Sequence, residues 1–282
     1  MSMTLTCFLG LFLLAPTYGL PVDKLVVGGE LAKPSQFPFY VHLQIKRPGE
    51  TINCGGSVLT DKRILTAAHC ITNMDFSKSY AYFGLTNKLN FSEPWVQTRQ
   101  FKELAMTMNN SETAPHMVYD DLAVLVLKEP IEFNDYVLPI RIAHNDTDLV
   151  TPGKSSTVMG FGHQRPWLRR DSPFGGDSPL LLYTDVTLRT WGTCVRVYCP
   201  YEQNDTRHLC AGSDGHGSGP GDSGGPLVVK VNEMWYQIGV VSRGPLESRK
   251  DIWPDVYVKP SMYCAFLQDA TYNMFNCLPS VV

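Results

Sequence analysis

From about residue 25 onward the chain carries short apolar, β-branched runs separated by turn residues. Phe39-Tyr40-Val41-His42-Leu43, Leu122 to Leu127, Pro226 to Val231 and Ile238 to Val241 are four of them. Runs of this length, bounded by Gly, Pro, Asn and Asp, predict strands, and their spacing along the chain predicts an all-β sandwich or barrel. About residues 261–275 form the exception: breakers are few there and a helix is expected. No period of 3.6 persists elsewhere, which weighs against a mixed α/β fold. No long linker, low-complexity tract or internal repeat interrupts the pattern.

The N-terminus reads differently. Leu5 to Ala15, LTCFLGLFLLA, is an apolar run of eleven residues. That is short for a bilayer span and has the length of a signal-peptide core. The stretch before it holds no Lys or Arg. Thr17 and Gly19 put small residues three before and one before a cut after Gly19, so residues 1–19 are expected to be a signal peptide. The competing reading is a buried element at the start of the fold. No other stretch reaches the length of a membrane span, and none is expected. Export gives meaning to four glycosylation sequons, at Asn90, Asn109, Asn145 and Asn204, all in polar stretches that read as surface loops.

Composition narrows the classes. The chain has 282 residues, 44% hydrophobic and 18% charged, which fits a buried core rather than a disordered chain or coiled coil. Lys+Arg total 24 against Asp+Glu 27, so a nucleic-acid binder relying on overall basic charge is excluded. Gly at 23 and Pro at 20 favour many turns over long helices. Eight cysteines are too few for a mini-protein scaffold but enough for several bridges in an exported domain. No Cys/His cluster has metal-ligand spacing, so neither metal nor other cofactor is expected.

Three segments carry chemistry. In Gly221-Asp222-Ser223-Gly224-Gly225-Pro226 a serine stands among glycines. Glycine lets a substrate carbonyl approach the backbone closely, and consecutive N–H groups there can receive a developing oxyanion. Six specified residues at about 5–7% usage recur by chance on the order of once in ten million positions. Thr66-Ala67-Ala68-His69-Cys70 offers a base, which a serine hydroxyl needs to become nucleophilic. Asp120-Asp121-Leu122-Ala123-Val124-Leu125 puts an acid at the head of an apolar strand, where it can orient an imidazole. Taken singly, the last two read by default as a core histidine beside a structural cysteine and as a strand-edge turn.

The order His69, Asp121, Ser223, together with Val26-Val27-Gly28-Gly29, Gly160-Phe161-Gly162 and Leu209-Cys210-Ala211-Gly212, resembles the chymotrypsin/trypsin family of serine proteases over roughly residues 26–270. The resemblance implies two six-stranded antiparallel β-barrels, a site in the cleft between them and a C-terminal helix. It implies that Ser223 is the nucleophile, His69 the general base and then acid, and Asp121 the orienting carboxylate. Asp121 is chosen over Asp120 because the family acid directly precedes the apolar strand. Gly221 and Ser223 would supply the oxyanion N–H groups, and Ser242 matches the serine beside the triad acid. Substrates would be proteins or peptides, and an activating protease and protein inhibitors are the other partners implied.

Family zymogens free an N-terminus that pairs with the acid before the nucleophile. Here those residues would be Val26 and Asp222, so residues 20–25 form a short propeptide and residues 26–282 the protease domain. Relatives are mostly cut after Arg or Lys, whereas Leu25 precedes Val26. Maturation by a Leu-accepting protease or by trimming is therefore expected.

The pocket also departs from the family. The floor position six before Ser223 is Gly217 rather than an acid. Asp255 stands where relatives usually have Gly, as in some broad-specificity crustacean collagenolytic relatives. This implies a basic or mixed basic/apolar preference before the scissile bond, with an outward-turned Asp255 and a chymotrypsin-like preference as the alternative. Arg243 replaces the usual Trp after Ser242, Gly244 follows it, and Pro220 sits at the rim. Gly219 replaces a cysteine and no cysteine lies in 244–251, so the pocket bridge is missing, as in granzyme-like relatives.

Among the cysteines, Cys54–Cys70 and Cys194–Cys210 resemble family bridges. Cys7 leaves with the signal. Cys199, Cys264 and Cys277 remain, with Cys264–Cys277 preferred and Cys199–Cys264 the rival. His163 to Arg170 is locally basic and reads as a solvated loop or an exosite for an acidic partner or glycosaminoglycan. A non-catalytic homologue acting as a binding protein is the rival to the endopeptidase.

Overall fold

The computed structural model describes residues 29–108, 120–163, 176–198, 205–212, 215–245 and 253–281. Val26, Asn109, Cys199, Asn204, the proposed leader and propeptide, and 164–170 of the basic segment lie outside the described residues.

After β1 (Glu30–Leu31), six strands follow in the first half of the chain: β2 (Tyr40–Arg47), β3 (Glu50–Thr60), β4 (Arg63–Thr66), β5 (Tyr80–Phe83), β6 (Gln97–Met108) and β7 (Leu122–Leu127). They close into a barrel in the order β2-β3-β4-β7-β6-β5, antiparallel throughout. The second half supplies β8 (Ser155–Gly160), β9 (Leu182–Arg189), β10 (His208–Ala211), β11 (Pro226–Val231), β12 (Met234–Arg243) and β13 (Asp255–Val258). Their ring β9-β10-β13-β12-β11-β8 is closed by β8 pairing with β9, while β1 rests on the other edge of β9. Closure removes the sheet edges that would otherwise need covering.

The strands follow the runs. Every residue of β7, LAVLVL, is buried, because its pleat faces the barrel interior on one side and neighbouring structure on the other. β9 alternates instead, with Leu182, Thr184, Val186 and Leu188 turned inward. The apolar interior of the first barrel runs on into Phe161, Val228, Val240 and Val258 of the second half, while the second barrel keeps its own core around Leu188, Leu227, Tyr236 and Tyr257. Phe37 crosses the junction, 5.2 Å from Tyr183 and 5.5 Å from Trp235 between ring centroids.

The C-terminal helix is shorter than expected. A 3-10 turn (Pro260–Tyr263) leads into a helix at Cys264–Ala270. Tyr272 and Asn273 then adopt φ of 53° and 63°, which ends the helix, and the Cys264–Cys277 bridge folds the chain back. A helix at Trp191–Tyr198 was not anticipated. With only two turns it shows little period: Trp191, Cys194 and Val195 form its inner face, fixed by Cys194–Cys210. Cys54–Cys70 is the third bridge of the described residues.

His42, in β2, is 2% exposed, its ring edge-on to Phe161, and its Nδ1 has no hydrogen-bond partner among the described residues. Burial, with Lys88 nearby, lowers its pKa to about 3. The unfolded chain therefore binds a proton below its ordinary ~6.5 that the folded chain refuses, so stability falls as pH drops from 6.5 toward 3. Urea unfolding of His42→Phe is expected to lose about 2 kcal/mol of the wild-type fall in stability between pH 6.5 and 5. An unchanged pH slope would show that His42 is not the group responsible.

Candidate active site

The turn after β4 runs directly into α1 (Ala68–Ile71), a single helical turn that carries His69. Asp121 immediately precedes β7 and is 1% exposed. Its Oδ1 accepts the His69 backbone N–H at 2.8 Å, and its Oδ2 accepts the ring Nδ1 at 2.7 Å. Ser242, near the end of β12 in the second barrel, donates its hydroxyl to Oδ2 at 2.7 Å. Burial alone would raise the Asp121 pKa; the hydrogen bonds and charge of His69 and the Ser242 hydroxyl outweigh it and hold the carboxyl below its usual range. An ionised carboxylate only accepts, so Nδ1 carries a proton, and in the tautomer this selects Nε2 is the nitrogen with the lone pair. Nε2 lies 3.9 Å from Cys70 Sγ, and that sulfur lies 3.5 Å from the Ser223 carbonyl oxygen.

Ser223 sits on the connection between β10 and β11, whose backbone bonds to both barrels. Its carbonyl accepts from Gly55 N of β3 at 2.8 Å, while Gly224 N donates to Val241 O of β12 at 2.8 Å. Gly221 has φ of 96°, and the following turn is closed by Gly225 N to Asp222 O at 2.9 Å. Gly224 has no room for a side chain: a Cβ would stand 2.2 Å from Thr66 Oγ1 and 2.7 Å from Gly55 O, at φ of 79°. Asp222 is 2% exposed and turns inward, accepting Gly162 N at 2.7 Å and Gly219 N at 2.8 Å.

A cavity of about 170 Å³ opens beside Ser223, lined by Ser218, Gly219, Pro220, Val241, Ser242, Arg243, Gly244 and Pro245. Gly217 and Asp255 are not among its lining residues. Asp255 is 0% exposed, and its Oδ2 accepts the Ser218 N–H at 2.7 Å and hydroxyl at 3.1 Å, with Tyr257 Oη at 3.5 Å. The outward-turned alternative for Asp255 is thereby corrected, because its carboxylate finds its donors inside the fold.

Two further polar clusters flank the site, and sequence reasoning missed both. Asp177, from the β8–β9 connection, accepts from Asn53 Nδ2 and lies 3.2 Å from His163 Nε2 and 3.6 Å from Lys88 Nζ. Its Oδ1 lies 3.2 Å from where a Cβ on Gly221 would be. On the other side, Asp120 accepts from Tyr263 and pairs with Arg207 at 3.3 Å; Asp205 holds Arg207 at 3.3 Å and His208 Nδ1 at 2.6 Å. Nothing in the local runs around Asn53, Lys88 or Arg207 signals their contacts with Asp177 and Asp120, which link positions 87 to 124 residues apart only after both barrels close.

Of the sequons, Asn145 is exposed, and Asn90 is half-buried with its amide donating to Glu93 at 2.8 Å. Among the described residues, no helix is long and apolar enough to cross a membrane.

Residues 26–267 match the family model described as Trypsin. Among curated proteins the chain is 35% identical over 242 residues to coagulation factor IX of Cavia porcellus, covering 84% of this chain and 79% of that protein. It is 30% identical over 248 residues to the venom peptide isomerase heavy chain of Agelenopsis aperta, covering 84% and 96%. It is 28% identical over 282 residues to melanization protease 1 of Drosophila melanogaster, covering 91% and 68%.

Gly224→Ala is expected to lower stability by more than about 2 kcal/mol, since both the positive φ and the approach of Thr66 forbid a methyl group. A chemical-denaturation midpoint equal to the wild type would contradict this packing.

Proposed function

We propose, for a chain that belongs to the trypsin family of serine proteases, that it is a secreted endopeptidase that cleaves peptide bonds through an acyl-enzyme. The observation that carries the reading is the His69 ring held at Nδ1 by the buried Asp121, which leaves Nε2 as the nitrogen not bound to that carboxylate. In the reaction, Ser223 Oγ attacks the scissile carbonyl while His69 Nε2 takes its proton. The oxyanion is received by the N–H groups of Gly221 and Ser223, which the turns around Gly221 and Gly224 fix before substrate arrives. The imidazolium, stabilised by Asp121, passes its proton to the leaving amine. Water then attacks the acyl-enzyme with His69 again as base.

The chain is exported by residues 1–19 and matured by removal of residues 20–25. The freed Val26 ammonium pairs with Asp222, whose carboxylate already gathers the Gly162 and Gly219 N–H groups at the base of the oxyanion turn. A buried anion gains from a cation partner what its own desolvation costs, so the uncut chain holds this turn less firmly. Asn90 and Asn145 are the sequons of the described surface open to glycosylation; Asn109 and Asn204 belong to the same expectation. Ser218 lines the cavity and is held by the Asp255 carboxylate, and that charge behind the wall favours Lys or Arg beside apolar residues before the scissile bond. Ser242, Arg243 and Gly244 form the wall along which the residues before the scissile bond lie.

Protein made to begin at Val26 is expected to cut a peptide library read by mass spectrometry, and Ser223→Ala to lower turnover at least about 10⁴-fold. Near-normal hydrolysis by Ser223→Ala would overturn the assignment. Asp255→Ser is expected to reduce kcat/KM for Lys and Arg substrates at least about tenfold relative to apolar ones. Equal losses on both classes would remove Asp255 from specificity.

A further inference from the structure

Arg47 ends β2 at the mouth of the β2–β3 hairpin, yet its guanidinium leaves the hairpin. Its Nη2 donates to His69 O at 2.6 Å and to Cys70 O at 2.9 Å. The same group lies 3.7 Å from Glu50 Oε1 through Nη1, with side-chain exposures of 19% for Arg47 and 58% for Glu50. The short contacts are thus the covered ones, and the solvent-facing ion pair is the weaker.

The two carbonyls belong to α1, which is one turn long. The last carbonyls of any helix lack donors within it, and a four-residue helix has almost none to spare. A cation at that end supplies the donors and meets the negative end of the peptide dipoles. The opposite side of His69 is held differently: Asp121 takes both its backbone N–H and its ring. His69 is therefore gripped on its amide and ring from β7 and on its carbonyl from β2. With that carbonyl released, the 69–70 peptide would be held only by the Cys54–Cys70 bridge and the Cys70 N–H to Ala67 O, and the ring would be freer to swing about the Asp121 contact.

We propose that Arg47 is a positioning residue for His69, fixing the direction in which Nε2 points by clamping the carbonyls that follow it. The proposal rests on the reading of His69 as the general base. An error of about 1 Å at a reacting atom is enough to cost on the order of 100-fold in rate, so a clamp on the main chain of the base acts on turnover rather than on substrate affinity. Lys at this position can still donate to both carbonyls, but from a softer stem without the rigid fork.

The test compares wild type, Arg47→Met, Arg47→Lys and Glu50→Gln, each beginning at Val26. Competent sites are counted by end-point incorporation of a sulfonyl fluoride, so that misfolded molecules do not enter the rates. Per counted site, Arg47→Met is expected to lose about 10- to 100-fold in kcat with KM nearly unchanged. Arg47→Lys is expected to recover most of that loss, and Glu50→Gln to match wild type. A kcat for Arg47→Met within about twofold of wild type, or a loss confined to KM or to the number of sites, overturns the proposal. If Arg47→Met yields no folded protein, Arg47→Lys decides: a kcat about two- to fivefold below wild type supports the clamp, and equality overturns it. A wild type that hydrolyses nothing overturns the reading of His69 itself, whereas an active wild type matched by both Arg47 variants removes only the clamp.

Discussion

A single buried carboxylate at the seam of the barrels organises the site. Asp121 takes two hydrogen bonds from His69 of the first barrel and one from Ser242 of the second. An anion this deep is tolerated only when its acceptor sites are filled, and here they are filled by two residues, His69 of α1 and Ser242 of β12. The requirement reaches outward. The β4–α1 turn, the start of β7 and the end of β12 must all arrive in register, and the closed pairing of both barrels delivers them. The Ser223 segment is then stitched to β3 and β12, on either side of the same seam.

The seam as a whole is built on this pattern. Asp177 of the second half gathers Asn53 and Lys88 of the first, and Asp120 of the first gathers Arg207 and Tyr263 of the second. Burial pushes the Lys88 pKa down, and with Asp177 it would push a lone carboxyl up; hydrogen bonds from His163 and the Lys88 charge reverse that and hold Asp177 below its usual range. Such pairs add little net stability over an apolar contact, but each is costly to break by halves. They therefore fix how the barrels meet more than how strongly. That is the property a nucleophile on one segment and a base on another require.

The parts that were legible in the chain are those with local signals. Leu122–Leu127 and Pro226–Val231 are strands because their apolar runs end at turns, and Asp121 and Ser223 stand out through their immediate neighbours. The helix at Trp191–Tyr198 escaped because two turns leave too little period, and the terminal helix is expected too long because Tyr272 carries no mark of its left-handed backbone and a single Asn at 273 is a weak stop signal. Asp255 was noticed through resemblance, but its burial behind Ser218 follows from tertiary packing. Arg47 was invisible: its partners are main-chain carbonyls 22 and 23 positions on, and no side-chain pattern records a bond to a carbonyl.

The central claim is that Asp121 and His69 make Ser223, and no other serine, nucleophilic. It is tested most directly by the rate and position of covalent labelling with a fluorophosphonate, mapped by peptide mass spectrometry in protein that begins at Val26. A single adduct on Ser223, formed at least about 100-fold more slowly in Asp121→Asn, is the predicted result. Labelling elsewhere, no labelling, or an equal rate in Asp121→Asn would contradict the account.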